Sequence, residues 1–518
     1  MRARALGAAL LAPFVLVSPG RAQTPPPPGA VVPVIGPPIR KIATASAIST
    51  ELLGGINTVV ELRDGRVLVN DGVRRRLLAM DTTLTKVDII LDSLAEVANT
   101  YGTRSGTLIP YRGDSLLFVD PVSYAMVVLD PTAQIVRVRS VWRVQDTYLF
   151  SAPTGYYGWP GADAKGRIVY RVPAMPAPPK VAPPAGVPYF PPEPDSAFIV
   201  GIDLDTRKLD TLGAVRIPKS LNTIKQSVEG YFTFTTTLNP LPTTDEWAVM
   251  SNGDVAFVRG RDYRVEYLHG DGTMTSTQRL PFEWQRLSDD DKQKLVDSVK
   301  NVNQRQYTVS YIGAMIRWAN MYKRPYPPSL KIPDGYVPTP GLMKAWRLPP
   351  GLTLPPTYIY GCPPGVEPTM TPPAAGAAAA PIPMPMPMPT PMPGSPGALS
   401  GTPSCIPQPI VVGGGNVPPP PTLREVSVLP ASELPDYRPP LPGAATRADA
   451  DGNLWIRTIP PKPIPGGTVY DIINAQGELA DRLQLPPGYA LVGFGKGKVV
   501  YLSTRDAKGF HLARVRLK

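Results

Sequence analysis

Six in-register turn-and-strand segments, a base spacing near 50 residues and 69 prolines in a chain of 518 predict an all-β fold. The architecture they point to is a six-bladed β-propeller with a small helical segment and long Pro-rich insertions. So much proline excludes a mainly helical protein, because each ring removes a backbone donor and blocks the helix interior.

The pattern is plainest at residues 61 to 83, ELRDGRVLVNDGVRRRLLAMDTT. Asp64-Gly65 and Asp71-Gly72 bracket one apolar run, and Asp81-Thr82-Thr83 closes the next. Turn signals this close suit short antiparallel strands. With Gly65, Asp114, Gly166, Gly253, Gly452 and Gly497 as anchors, the positions two and four residues on alternate in register. They are Val67 and Val69, Leu116 and Phe118, Ile168 and Tyr170, Val255 and Phe257, Leu454 and Ile456, and Val499 and Tyr501. The residues between them are often apolar too, so these strands must be covered on both faces. A second apolar strand ending in a turn follows each run except the last. The anchor spacings of 49, 52, 87, 199 and 45 residues give a base period with two expanded intervals. The final segment offers three strands, and residues 40 to 48 (RKIATASAI) are expected to supply its missing outer strand and close the ring.

With these residues on view, the chain resembles the six-bladed propellers of the NHL-repeat and TolB-like kind. ELRDGRVLVNDGVRRRLLAMD is similar to their repeat, and LPDYRPPLPGAATRADADGNLWIR resembles a blade of exported bacterial members. The resemblance covers about 39 to 279 and 440 to 518. It implies fold far more than activity, since propellers host many unrelated functions.

Residues 1 to 22 read as a secretory signal: Arg2 and Arg4, then an apolar stretch too short to span a bilayer, then Gly20-Arg21-Ala22. Residues 23 to 38 read as a Pro-rich linker. The expected location is periplasmic or extracellular, without a transmembrane segment. With export expected, the net charge of +12 reads as a generally basic surface that permits acidic polysaccharide or anionic membrane components as partners and argues little for nucleic acid. A protein or carbohydrate of the cell envelope is the expected partner, and the protein itself is expected to be monomeric. Cys362 and Cys405 lie in one Pro-rich stretch and are the candidate disulfide of an exported chain.

Two insertions interrupt the repeat, at 173 to 195 and 280 to 439. The second opens with a helix, with Ser288 as N-cap and Asp289, Asp290 and Asp291 suiting its N-terminus. Leu295, Val299 and Val302, then Tyr311, Met315 and Trp318, are expected to form apolar stripes. Beyond it the run PIPMPMPMPTPMPG forbids helix or central strand. Met384, Met386, Met388 and Met392 are soft ligands, but no His or Cys stands beside them to complete a copper site.

Catalytic constellations are scarce. His269 and His511 are the only histidines, too few for the histidine-ligated zinc of the peptide-amidating lyases that NHL-type propellers include. Arg112-Gly113-Asp114 sits at an anchor turn, and GFGKGK (493 to 498) joins two strands, so both read as turn chemistry. No catalytic residue and no resident metal is assigned. Two functions remain: a binding or scaffold module working through the face that carries the long loops, or a carboxylate-dependent hydrolase or lyase, with calcium as its possible cofactor. Strand parity places the 173–195 and 280–439 insertions, the segment 218–244 and the loop 458–467 at one end of the blades. The residues expected to rim the axis at that end are Tyr101, Arg104, Tyr156, Trp159, Trp247, Arg447 and Tyr489. Aromatics beside arginines suit sugar rings and anionic groups, though each aromatic also suits packing between blades.

Overall fold

A computed structural model describes residues 36–93, 100–150, 157–173, 194–218, 221–226, 232–322, 425–461 and 464–518. The chain forms two compact bodies, one of residues up to Lys294 together with Leu429–Lys518, the other of Leu295–Val428. The signal and linker expectations for residues 1 to 35, Tyr156, Cys362, Cys405 and the Pro/Met run lie outside the described residues.

The first body is built of four-stranded antiparallel modules. Module one comprises Ile56–Glu61, Val67–Asp71, Arg76–Met80 and Val87–Asp92. Module two comprises Thr107–Pro110, Leu116–Asp120, Ala125–Leu129 and Ile135–Ser140. Module three follows with Gly161–Ala162, Ile168–Pro173, Ser196–Ile202 and Leu209–Arg216. A hairpin of Leu221–Gln226 and Phe232–Leu238 leads to module four, Glu246–Val249, Val255–Arg259, Arg264–Leu268 and Met274–Ser276. Module five holds Thr446–Ala448, Leu454–Thr458, Val469–Ile473 and Leu479–Gln484. Module six joins Ala490–Gly495, Val499–Arg505 and Phe510–Arg516 to Ala47–Ile48.

Ala47 and Ile48 pair antiparallel with Arg514 and Ala513, so a strand from the chain's start completes the module at its end. Just before it, Ile39–Lys41 runs parallel to the outer strand of module five. Modules six and one also touch directly, with Gly493 and Phe494 paired in parallel with Val59 and Val60.

Local chemistry explains the hairpins. All six anchors hold a positive φ, from 61° at Asp114 to 89° at Gly452, which the turns between first and second strands require. On the outer hairpins a carboxylate does the turning. Asp81, Asp130 and Asp203 each accept backbone N–H bonds from residues two to five positions on.

The apolar alternation then divides between neighbours. Val67 and Val69 pack with Val499 and Tyr501 of module six, while Leu68 between them packs with Leu116 and Phe118 of module two. Clusters of the same kind join modules two to three, three to four, four to five and five to six. Every module is thus held on both faces, which is why its second strand opens with a run of three or four apolar residues. One register differs from the sequence reading. In module six Val500 and Leu502 face the preceding module, and Val499 and Tyr501 face module one. The residue equivalent to Gly65 is therefore Lys498 (φ 59°), not Gly497. A one-residue slip exchanges the faces of a strand, and a strand apolar on both faces conceals it.

The insertion leaves and re-enters module-bearing chain at one place. Leu287 N–H donates to Asp436 O (2.8 Å) and Arg438 N–H to Gln285 O (3.0 Å), forming a short antiparallel ribbon. The Lys292 ammonium reaches Asp436 at 2.7 Å. A helix, Asp289–Tyr322, begins there. Its start is a capping box, with Asp291 N–H donating to Ser288 Oγ (3.2 Å) and Ser288 N–H returning a bond to the Asp291 carboxylate (3.1 Å). Of the expected stripe positions Met315 is buried and Val302 is 62% exposed; the other buried apolar positions are Val296, Ile312 and Ala319.

Candidate functional site

The first strands of all six modules line one cavity of about 580 Å³. Its walls include Thr58 and Glu61, Thr107 and Tyr111, Trp159, Ala248, Arg447 and Phe494. The lining runs on into the turns after those strands, through Arg63, Asp114, Ser251, Ala450 and Lys496. The cavity is therefore weighted toward the turn end of the innermost strands. The sequence reading looked for the rim at the opposite end, where those strands begin.

Of the residues expected at that rim, two meet in the cavity. The Arg447 guanidinium lies 4.1 Å from the Trp159 ring centroid and 5.8 Å from that of Phe494. It donates to the carbonyls of Leu491 (3.0 Å) and Val492 (3.1 Å). Among the described residues no carboxylate lies within ion-pair distance of it. Burial pushes its pKa down to about 10, still high enough to leave the charge in place at neutral pH. The cavity thus holds a stacked cation that no carboxylate of the described residues contacts.

The other residues go elsewhere. Tyr101 is 1% exposed and packs against Phe118. Its hydroxyl donates to Asn70 Oδ1 (2.7 Å) and accepts from Gly106 N–H (2.9 Å). Trp247 is equally buried between modules three and four, its Nε1–H donating to Tyr157 O at 3.1 Å. Tyr489 packs against the cluster between modules five and six, and Arg104 is exposed. Both buried rings follow the rule that an aromatic with a polar tip sits inside when that tip finds a partner.

The carboxylates of the lining are each committed. Glu61 accepts from the Tyr501 hydroxyl (2.6 Å) and from Lys496 N–H (3.2 Å). Asp114 pairs with Arg63. Asp449 closes its turn by accepting from Asp451 and Asn453 N–H, and also receives Trp455 Nε1–H at 3.0 Å. Among the described residues no group of three His, Cys, Asp or Glu is placed to hold a metal ion. Glu61, Phe494 and Lys496 escaped the sequence reading because they stand at the ends of strands and in turns; their position just before an anchor turn is the signal that marks them.

A different carboxylate is tuned by its surroundings. Glu246, which opens the innermost strand of module four, is 3% exposed and accepts from Ala444 N–H at 2.9 Å. Burial raises its pKa from 4.5 to about 7. Between those values the native state holds a proton that the unfolded chain releases, so stability falls as pH rises across the window. Glu246→Gln keeps an acceptor and removes the charge. It is expected to gain about 3 kcal/mol at pH 8 and nothing at pH 4. Denaturant midpoints at the two pH values check this; equal gains at both would refute the buried-charge account.

No family model and no curated protein matches the chain. Among solved structures, virginiamycin B lyase from Staphylococcus aureus is similar at 10% identity, covering 46% of this chain and 74% of that one, with a TM-score of 0.23. A gluconolactonase from Xanthomonas campestris is similar at 13% identity over 48% of this chain and 91% of that one, TM-score 0.23. An auxiliary nutrient binding protein from Bacteroides ovatus is similar at 9% identity over 44% and 48%, TM-score 0.23. Likenesses this shallow, to two enzymes and a binding protein, assign no activity to this chain.

Proposed function

We propose that the chain is an exported six-bladed β-propeller acting as a binding module, and that its axial cavity takes the anionic group of an acidic carbohydrate. The propeller reading rests on the packing, which passes from module to module and returns to the first, and on the strand that the chain's start lends to its end. Export rests on the character of residues 1 to 22; among the described residues no helix is long and apolar enough to cross a membrane.

The observation that carries the function is Arg447, stacked on Trp159 and without a carboxylate partner. A desolvated guanidinium is a strong, directional donor to a carboxylate or sulfate, and the indole beside it offers a face to a sugar ring. Hydrolase or lyase chemistry would draw on the lining carboxylates, which are bound up in turns and pairs. The test is titration calorimetry of the full chain with oligogalacturonate and with a neutral oligosaccharide of equal length. Binding confined to the acidic sugar is expected, with Arg447→Ala and Trp159→Ala each weakening it at least about tenfold. Equal binding of the neutral sugar, or wild-type affinity in Arg447→Ala, would overturn the proposal.

A further inference from the structure

A second cavity, of about 430 Å³, lies at the other end of module five, where its second strand ends. That size suits a small ligand. Gln285 and Arg438 enter it from the ribbon at the root of the insertion, and Arg457 and Thr458 from the strand end. Pro442, Pro460, Ile464 and Val469 supply an apolar wall.

Arg457 donates through Nη2 to Gly443 O (2.7 Å). Among the described residues, neither Arg457 nor Arg438 is within ion-pair distance of a carboxylate. Nine buried side-chain polar atoms of the described residues lack a hydrogen-bond partner, and three of them belong to residues lining this cavity: Gln285 Oε1, Arg438 Nε and Arg457 Nε. A buried polar atom without a partner costs free energy, so such a cluster marks where a partner belongs. The unmet groups are two cationic donors and one neutral acceptor, beside an apolar wall. A bare anion would satisfy the donors and leave the acceptor unmet. A peptide C-terminus presents both complements, a carboxylate and the amide N–H next to it, with the last side chain free to face the wall.

We propose that this pocket binds the free C-terminus of a peptide ending in an apolar residue, with the carboxylate on Arg438 and Arg457 and the terminal amide N–H on Gln285 Oε1. The site is separate from the axial cavity. Titration of the full chain with N-acetyl-leucine, N-acetyl-leucinamide and inorganic phosphate tests it. The free acid is expected to bind at least about tenfold more tightly than either of the others. Arg438→Met, which removes a side chain with no hydrogen bond to lose, is expected to abolish the preference for the acid over the amide. Gln285→Met is expected to weaken the acid and leave phosphate unchanged. Equal binding of acid and amide, phosphate binding as tight as the acid, or wild-type affinity in Arg438→Met would overturn the proposal. So would loss of N-acetyl-leucine binding in Arg447→Ala, which would put the peptide in the axial cavity.

Discussion

A chain beginning at Glu51 is expected to be less stable than one beginning at Gly36 by roughly 6 kcal/mol, and to lose its single cooperative transition. The segment removed makes two attachments. Ser46 N–H donates to Arg514 O (2.7 Å), Ser49 N–H to Leu512 O (2.8 Å), and Leu512 N–H to Ser49 Oγ (3.0 Å). On module five, Ile42 N–H donates to Gln484 O (3.0 Å), and the Ile42 side chain is 8% exposed among Trp455, Leu483 and Val515. At about 1 kcal/mol net for each hydrogen bond and about 2 kcal/mol for the isoleucine, the sum reaches that size. The loss also leaves an open sheet edge on module six, where fraying can begin. Urea denaturation of the two chains followed by fluorescence and by circular dichroism is the measurement. Coincident curves with the midpoint and slope of the longer chain would show that the clasp does not hold the fold.

Asp471→Ala is expected to cost about 3–5 kcal/mol, the usual result of removing one partner from a buried charged pair. Asp471 is 2% exposed. Its carboxylate accepts from the Tyr263 hydroxyl (2.7 Å) and meets Arg482 Nε at 3.2 Å. Burial raises its pKa, and Tyr263 and Arg482 pull it back toward the charged form. These residues tie module four to module five, the two modules that the long insertion separates in sequence. Alanine leaves the buried Tyr263 hydroxyl without a partner and Arg482 with only its bond to Pro281 O, whereas Tyr263→Phe removes one hydrogen bond and should cost about 1–2 kcal/mol. Denaturant midpoints of the two variants decide the matter. If alanine at 471 costs no more than phenylalanine at 263, the trio is not holding the modules together.

Much of the architecture was readable because it depends on local signals repeated many times. Positive-φ turn residues and apolar alternation mark second strands whatever surrounds them. The register of module six was not readable, since Val499, Val500, Tyr501 and Leu502 are apolar on both faces and either phase fits. The buried side of the long helix escaped for a related reason: Val302 keeps the right spacing yet faces solvent. The site was half readable. Trp159 and Arg447 stand far apart in sequence, and each was found from its place near the start of an innermost strand. Trp247 and Tyr101 hold the same kind of place, but their polar tips find backbone and side-chain partners between modules. Composition cannot say which aromatic is needed for packing and which is left over; that depends on the partner across the gap.

The ribbon at Gln285 to Leu287 and Asp436 to Arg438 has a consequence for the length of the insertion. Because the chain departs and returns side by side, everything between is a closed excursion whose cost grows only with the logarithm of its length, about 0.6 kcal/mol for each doubling. A change of length within the insertion therefore adds little to the cost of closing the chain at the ribbon.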